Sequence, residues 1–171
     1  LKAPYIWPPV GLAYIASALR EFSYADVKIM DAQIDNFDVQ MTSDFDMIVI
    51  NTGTPTINYD ILLSKRIKDL NGLRVAFTGV HSAYFHKELI KYCDFIIRGE
   101  PDITLVNLAI SLDKGQNLEK VGGITWKDPK GRIKVNKAAK PSENLDALPF
   151  QAIDLVSEKY FDITAKKCPI A

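Results

Sequence analysis

Four short segments of this chain carry small or glycine-rich residues at points where a predicted strand gives way to a predicted helix. They are Pro8-Pro9-Val10-Gly11, Thr52-Gly53-Thr54-Pro55-Thr56, Thr78-Gly79-Val80-His81 and Arg98-Gly99-Glu100-Pro101. In an open parallel sheet, the loops that follow the carboxyl ends of the strands line one common crevice. The backbone amides of such turns, and the helix starts behind them, suit phosphate and amide groups. The pattern therefore predicts a ligand-binding crevice.

The candidate binding residues all come from these four loops. They are Pro9, Val10, Gly11, Thr52, Gly53, Thr54, Thr56, Gly79, Val80, His81, Gly99 and Glu100. The run over residues 52–56 is longer than a helix cap requires, and Gly53 permits a close approach of the backbone to a ligand. A side chain at position 79 is expected to fill space that the ligand needs. No carboxylate or cysteine cluster surrounds His81 in the sequence, which argues against a metal site there. No residue is assigned a catalytic role.

The elements that position these loops alternate between helix and strand. Apolar spacing predicts helices over residues 9–22, 58–70, 83–92 and from 101 to a stop at 115, with Asn58 as a cap. Strands are predicted over residues 27–30, 46–50, 73–77 and 94–97. This alternation indicates an α/β fold, a doubly wound, flavodoxin-like parallel sheet with helices on both faces and strand order 2-1-3-4-5.

Two further features concern the ends of the chain. Residues 123–127 and 132–136 flank Asp128-Pro129-Lys130-Gly131, which predicts a β-hairpin followed by a linker. A central first strand has no good candidate, because Lys2 and Pro4 suit a buried strand poorly, so we expect it upstream of Leu1 or missing. The predicted domains are a Rossmann-like domain over residues 1–120 and a hairpin and linker over residues 121–171. We expect the chain to be a fragment of a longer protein.

Composition narrows the classes of partner. The chain has 171 residues, of which 47% are apolar, so it can bury a substantial core. Its 21 basic and 21 acidic side chains cancel, which argues against nucleic acid as a partner, since phosphate contacts need a basic face. The apolar runs are too short to span a bilayer. Two cysteines, Cys93 and Cys168, form no disulfide framework, which favours a cytoplasmic location.

Five segments in chain order resemble the cobalamin-binding domain of cobalamin-dependent radical S-adenosylmethionine enzymes. They are Pro8-Pro9-Val10-Gly11-Leu12-Ala13-Tyr14-Ile15-Ala16-Ser17, Ile29-Met30-Asp31-Ala32, Thr52-Gly53-Thr54-Pro55-Thr56, Thr78-Gly79-Val80-His81 and Arg98-Gly99-Glu100. The chain departs from the family pattern in two places. Thr78 replaces the first glycine of a Gly-Gly-x-His turn, and Pro101-Asp102 replaces a second Gly-Glu pair.

The resemblance implies a cofactor and a partner. The chain would bind cobalamin and present its cobalt to a radical S-adenosylmethionine domain of the same polypeptide, commonly for methyl transfer, without turnover of its own. That second domain would carry S-adenosylmethionine and a 4Fe-4S cluster. Cys168-Pro169-Ile170-Ala171 would open its CxxxCxxC motif, with Cys168 as the first ligand of the cluster, or Cys168 is a cysteine with no such role. Neither nucleic acid nor membrane is an expected partner.

The resemblance also bears on the axial position of the cobalt. Domains that displace the cofactor's own base use a histidine after the first strand, and residues 1–11 contain none. Protein imidazole coordination is therefore not expected. The lower face would be left to Tyr5, Trp7 or water.

Two other functions stay open at this point. Residues 52–58 also resemble the phosphate loop of flavodoxins, which predicts an FMN-binding electron-transfer domain. The replacements at Thr78 and Pro101 fit a scaffold domain that has lost its ligand.

Overall fold

The computed structural model describes residues 7–160, in which three parallel strands are extended by an antiparallel hairpin into one mixed sheet. The parallel strands are β1 (Met47–Asn51), β2 (Arg74–Thr78) and β3 (Phe95–Ile97). Antiparallel to β3 lies β4 (Ile124–Lys127), which pairs with β5 (Ile133–Val135). The spatial order is β1-β2-β3-β4-β5. The predicted α/β class with a C-terminal hairpin is therefore confirmed.

The helices occur in the predicted order along the chain, with different boundaries. They are α1 (Val10–Ser23), α2 (Ile57–Asn71), α3 (Val80–Tyr84), α4 (His86–Leu89) and α5 (Pro101–Asp113). Gly72 ends α2 in the left-handed region, with φ of 64°, as a C-terminal glycine commonly does. The prediction that Asn58 caps this helix is wrong. Thr56 occupies the N-cap position, and its hydroxyl bonds Asp60 in the first turn.

The helix predicted over residues 83–92 is broken in the structure. Its first part begins earlier, at Val80, and stops at Phe85, whose φ of −94° and ψ of 31° leave the helical region. The second part is α4, which continues into a 3₁₀ turn over Ile90–Tyr92. Phe85 closes one helix and precedes the next. Because α3 begins directly after β2 and Gly79, its aromatic residues lie near the carboxyl edge of the sheet.

Two apolar layers enclose the sheet. On one face, Ile15 and Leu19 of α1 pack with Leu105 and Leu108 of α5 against Ala76 and Ile97. On the other face, the packed residues are Ile67, Leu89, Ile90, Val75, Phe77 and Ile96. Strand β2 thus buries apolar side chains on both faces, as a central parallel strand should. Full burial of each larger side chain of β2, such as Val75 or Phe77, stabilises the fold by about 1.5–3 kcal/mol.

The strand predicted over residues 27–30 is absent from the described part of the chain. Val27 and Ile29 are nevertheless partly buried against the apolar clusters of the domain. A strand also requires a hydrogen-bonded neighbour, and none lies beside this segment among residues 7–160. The prediction about a central first strand concerns residues outside those described. Of the order 2-1-3-4-5, the last three positions correspond to β1, β2 and β3.

After β5 the chain follows an irregular path. It includes the 3₁₀ turns Leu145–Ala147 and Ile153–Leu155, and it returns to α1, where Ala152 N–H donates to the carbonyl of Ala13 at 3.0 Å. Among residues 7–160, no helix combines the length and apolar character that a membrane crossing requires.

The core of the second layer gives a stability prediction. Phe77 is completely buried in β2, so Phe77→Ala should lower the free energy of unfolding by about 3–5 kcal/mol. Phe150→Ala is the matched control, because Phe150 is 92% exposed and its loss should change stability by less than about 0.5 kcal/mol. Urea unfolding followed by circular dichroism measures both. Equal losses in the two variants would contradict this description of the core.

Candidate ligand-binding site

A cleft lies where β1 and β2 end and α3 begins. Its volume is about 470 Å³, within the range of about 300–1,000 Å³ typical of small-molecule sites. It is lined by Asn51, Thr52, Gly53, Thr54, Gly79, Val80, His81, Tyr84 and Phe85. Six of the twelve candidate binding residues therefore meet around one cavity. They are Thr52, Gly53, Thr54, Gly79, Val80 and His81.

The other six candidates do not line this cleft. Gly99 and Glu100 follow β3 on the same carboxyl edge of the sheet, while Pro9 is the N-cap of α1 and Val10 and Gly11 are its first two residues. Thr56 lies behind the cleft. Its hydroxyl accepts from the Gly53 N–H at 3.1 Å and donates to the Asp60 carboxylate at 2.8 Å, so Thr56 shapes the first loop. Ligand contacts by these six residues stay a prediction, and Cys168 lies outside the described residues.

A double hydrogen bond joins the two loops at the base of the cleft. Both the backbone N–H and the hydroxyl of Thr52 donate to the carbonyl oxygen of Thr78, at 2.7 and 2.8 Å. Both threonines are buried. The hydroxyl of Thr52 is therefore used within the protein, and its side chain holds β1 and β2 together where the strands end.

Gly79 is required by the contact between the loops. Its φ of 108° and ψ of 160° lie in a backbone region that residues other than glycine rarely adopt. A Cβ atom at this position would stand 2.4 Å from the carbonyl oxygen of Thr52. The structure thus gives a reason for this glycine that the sequence did not, namely the approach of the neighbouring loop, while the expectation that a side chain here fills ligand space stays a prediction.

Thr54 and His81 form the polar part of the cleft. The Thr54 hydroxyl lies 3.0 Å from Nδ1 of His81, and the histidine ring packs against Phe85 with centroids 4.9 Å apart. These two contacts hold the imidazole in one orientation. Within residues 7–160 its Nε2 has no hydrogen-bond partner, so that nitrogen is available to a ligand.

An apolar wall completes the cleft. Val80, Tyr84 and Phe85 are 88%, 79% and 42% exposed, and the two aromatic rings meet edge to face at 4.8 Å. A cluster of exposed apolar side chains beside a cavity commonly marks a binding surface. Sequence analysis missed Asn51, Tyr84 and Phe85. The available signal was the spacing of His81, Tyr84 and Phe85, which places them on one helical face.

A buried carboxylate supports the first loop from below. Asp60 is buried in the first turn of α2, and burial raises the pKa of its carboxyl above the usual 3.8, while the hydrogen bond from Thr56 opposes that rise. The group lies behind the loop and outside the cleft lining. In the described part of the chain, no three His, Cys, Asp or Glu side chains are arranged to hold a metal ion. The cleft is therefore equipped to bind a ligand through hydrogen bonds and apolar contact.

Comparison with known sequences places the chain in a family and identifies two longer relatives. The model of the B12 binding domain family matches residues 1–109. The uncharacterized methyltransferase PH0819 of Pyrococcus horikoshii is 30% identical over 165 residues, which cover 90% of this chain and 35% of the relative. The anaerobic magnesium-protoporphyrin IX monomethyl ester cyclase of Rubrivivax gelatinosus is 26% identical over 174 residues, which cover 94% of this chain and 31% of the relative. The chain thus spans about a third of these relatives.

Comparison with solved structures gives the same fold. The cobalamin-dependent S-adenosylmethionine radical enzyme OxsB, with aqua-cobalamin and S-adenosylmethionine bound, has a TM-score of 0.72 at 20% identity over 85% of this chain and 22% of that one. The radical S-adenosylmethionine methyltransferase TsrM from Kitasatospora setae, with tryptophan and an S-adenosylmethionine analogue bound, has a TM-score of 0.70 at 15% identity. The match covers 82% of this chain and 29% of that one. The resemblance predicted from the sequence is confirmed.

The geometry of Gly79 gives a prediction that needs no ligand. Gly79→Ala should lower the free energy of unfolding by at least about 2 kcal/mol, since it combines a strained backbone region with a clash. Gly53→Ala is the control, because its Cβ would make ordinary contacts at 3.4 and 3.6 Å. Urea unfolding of the two variants measures the difference. Equal stability would show that the loops do not approach as described.

Proposed function

The chain belongs to the B12-binding domain family, and we propose that its cleft holds part of a cobalamin at the carboxyl edge of the sheet. The observation that carries this proposal is the meeting of six candidate residues around one cavity in a chain of this family. A ligand-free scaffold would not need an exposed apolar wall beside a preoriented histidine.

The cleft fits the chemistry of one part of the cofactor. A cobalamin carries amide side arms around its corrin ring and a nucleotide tail with a phosphate and an aromatic base. Thr54 and His81 can bond amide or phosphate groups, while Val80, Tyr84 and Phe85 offer apolar contact to an aromatic base. A cavity of about 470 Å³ accepts the tail and leaves the bulkier corrin outside. We propose that Pro9, Val10, Gly11, Gly99 and Glu100 contact that outer part.

The residues of this chain bind and orient the cofactor in this proposal. When bound, cobalamin supplies a cobalt centre that can carry a methyl group, and the protein contributes the shaped site and the orientation. The hydrogen bonds between Thr52 and Thr78 keep the two loops at a fixed separation. The imidazole of His81 is held by Thr54 and Phe85 before the ligand arrives, which lowers the entropic cost of binding.

The partner in this proposal is a radical S-adenosylmethionine domain of the same polypeptide. That domain would hold S-adenosylmethionine and a 4Fe-4S cluster, with Cys168 as the first cluster ligand. Residues 1–120 would form the cobalamin domain, and residues 121–171 the hairpin and linker. Methyl transfer in the cytoplasm is the activity we propose for the whole protein, and the present chain would not catalyse it alone.

Titration with hydroxocobalamin tests the proposal. The purified chain should bind it with a change in the visible spectrum, and His81→Ala and Thr54→Val should each weaken binding about tenfold, the loss expected for one good hydrogen bond. His86→Ala is the matched control, because the other histidine lies outside the cleft and bonds Thr125 at 2.9 Å. Uptake of FMN with a flavin spectrum, and none of hydroxocobalamin, would favour the flavodoxin-like alternative instead.

Electron paramagnetic resonance of the reduced cob(II)alamin form tests the axial position. We expect no nitrogen splitting from a protein imidazole, because residues 1–11 contain no histidine and His81 lines the cleft that the nucleotide tail would fill. Spectra of wild type and His81→Ala, both saturated with cobalamin, should therefore coincide. A splitting present in wild type and lost in the variant would assign His81 as a cobalt ligand and refute this part.

A further inference from the structure

The last described residues return to α1 and make polar contacts along it. We refer to residues 151–160 as the clasp. Its contacts are a backbone hydrogen bond from Ala152 to Ala13, an ion pair of Asp154 with Arg20 at 2.8 Å, bonds from Lys159 to the Ile34 carbonyl and the Asp35 carboxylate, both at 3.2 Å, and a hydrogen bond of Tyr160 with Asp31. These contacts join segments more than a hundred residues apart.

An apolar cluster lies beneath these contacts. Ala13 of α1 packs with Val156 and Tyr160 of the clasp, and all three are at least 96% buried. Ile29 and Ile34 border the cluster. It is separate from the two layers that cover the sheet, so α1 is packed on two sides. One side lies in the core with α5 and the other lies under the clasp.

The contact between Tyr160 and Asp31 closes the clasp. The Tyr160 hydroxyl donates to a carboxylate oxygen of Asp31. Burial, followed by the nearby carboxylates of Asp31 and Asp35, raises the pKa of the Tyr160 phenol above its ordinary value. The hydroxyl therefore stays a donor at every physiological pH. A hydrogen bond to a charged acceptor is stronger than one between neutral groups.

The clasp reaches a predicted ligand loop through the backbone. Ala13 lies in the first turn of α1, where its N–H donates to the Pro9 carbonyl at 3.1 Å and its own carbonyl accepts from Ala152 at 3.0 Å. Pro9 belongs to the predicted ligand loop of residues 8–11, of which Val10 and Gly11 begin α1 in the structure. One residue thus contacts the loop on one side and the clasp on the other.

We propose that the clasp holds α1 and the loop of residues 8–11 in place, with Tyr160 and Asp31 as the positioning residues that close it. The effect on α1 is independent of any ligand. The effect on cofactor binding rests on the proposed function. In that case the clasp also links the start of the cobalamin site to the chain that leads toward the radical S-adenosylmethionine domain.

Hydrogen–deuterium exchange of the ligand-free chain tests the effect on α1. Tyr160→Phe removes one hydroxyl and keeps the ring in its apolar cluster, and we expect amides of α1 and of residues 31–35 to exchange about tenfold faster. Amides of α2 and β2, which the clasp does not touch, should exchange as in wild type. Tyr24→Phe is the matched control, because Tyr24 is 91% exposed and its hydroxyl should be dispensable.

A second variant keeps the test decisive. Asp31→Asn retains an acceptor oxygen and loses the charge, so α1 should exchange faster than in wild type and slower than in Tyr160→Phe. Unchanged exchange in α1 in both variants would overturn the proposal.

The affinity for hydroxocobalamin is measured in a separate experiment. Weaker binding by Tyr160→Phe than by Tyr24→Phe would show that the clasp also supports cofactor binding through the loop of residues 8–11. Equal binding by the two variants would refute that effect. Failure of the wild-type chain to bind hydroxocobalamin would refute the proposed function and leave the exchange result standing.

Discussion

The rest of the site depends on one contact, the pair of hydrogen bonds from Thr52 to the carbonyl oxygen of Thr78. It continues the β1–β2 pairing one step beyond the sheet and brings the two following loops together. Gly79 makes this possible, since any side chain there would collide with Thr52. Because the loops touch at their base, Thr54 and His81 come within hydrogen-bond distance at the mouth of the cleft. The polar part of the site follows from backbone packing.

The apolar part of the cleft depends on the short helix α3, which begins directly after β2 and Gly79. Tyr84 and Phe85 come at its end, where their rings meet edge to face and line the cleft at the carboxyl ends of β1 and β2. Exposed aromatic surface costs free energy in water, and a ligand that covers it regains that free energy. Polar and apolar walls thus offer complementary contacts to one amphipathic ligand group.

Packing on both sides of α1 connects parts of the domain that the sheet does not join. One side of this helix belongs to the core with α5, and Ala13 on the other side lies under the clasp. The first turn of the helix also bonds Pro9. The end of the described chain is therefore coupled to a candidate binding loop through two hydrogen bonds and an apolar cluster, without contact to the cleft at β1 and β2.

The order of helices and strands, the hairpin and the family resemblance were determined by the sequence alone, because apolar periodicity, turn residues and loop motifs are local properties. Six candidate residues around the cleft were also predictable, since the carboxyl ends of parallel strands share one edge. Other features required the tertiary structure. Residues 27–30 have the pattern of a strand, yet pairing needs a neighbour that periodicity cannot supply. The role of Gly79 depends on a carbonyl oxygen 27 positions earlier in the chain, and the contact between Asp31 and Tyr160 joins residues 129 positions apart. Local sequence patterns do not identify contacts between residues that are far apart in the chain, so these contacts are known only from the tertiary structure.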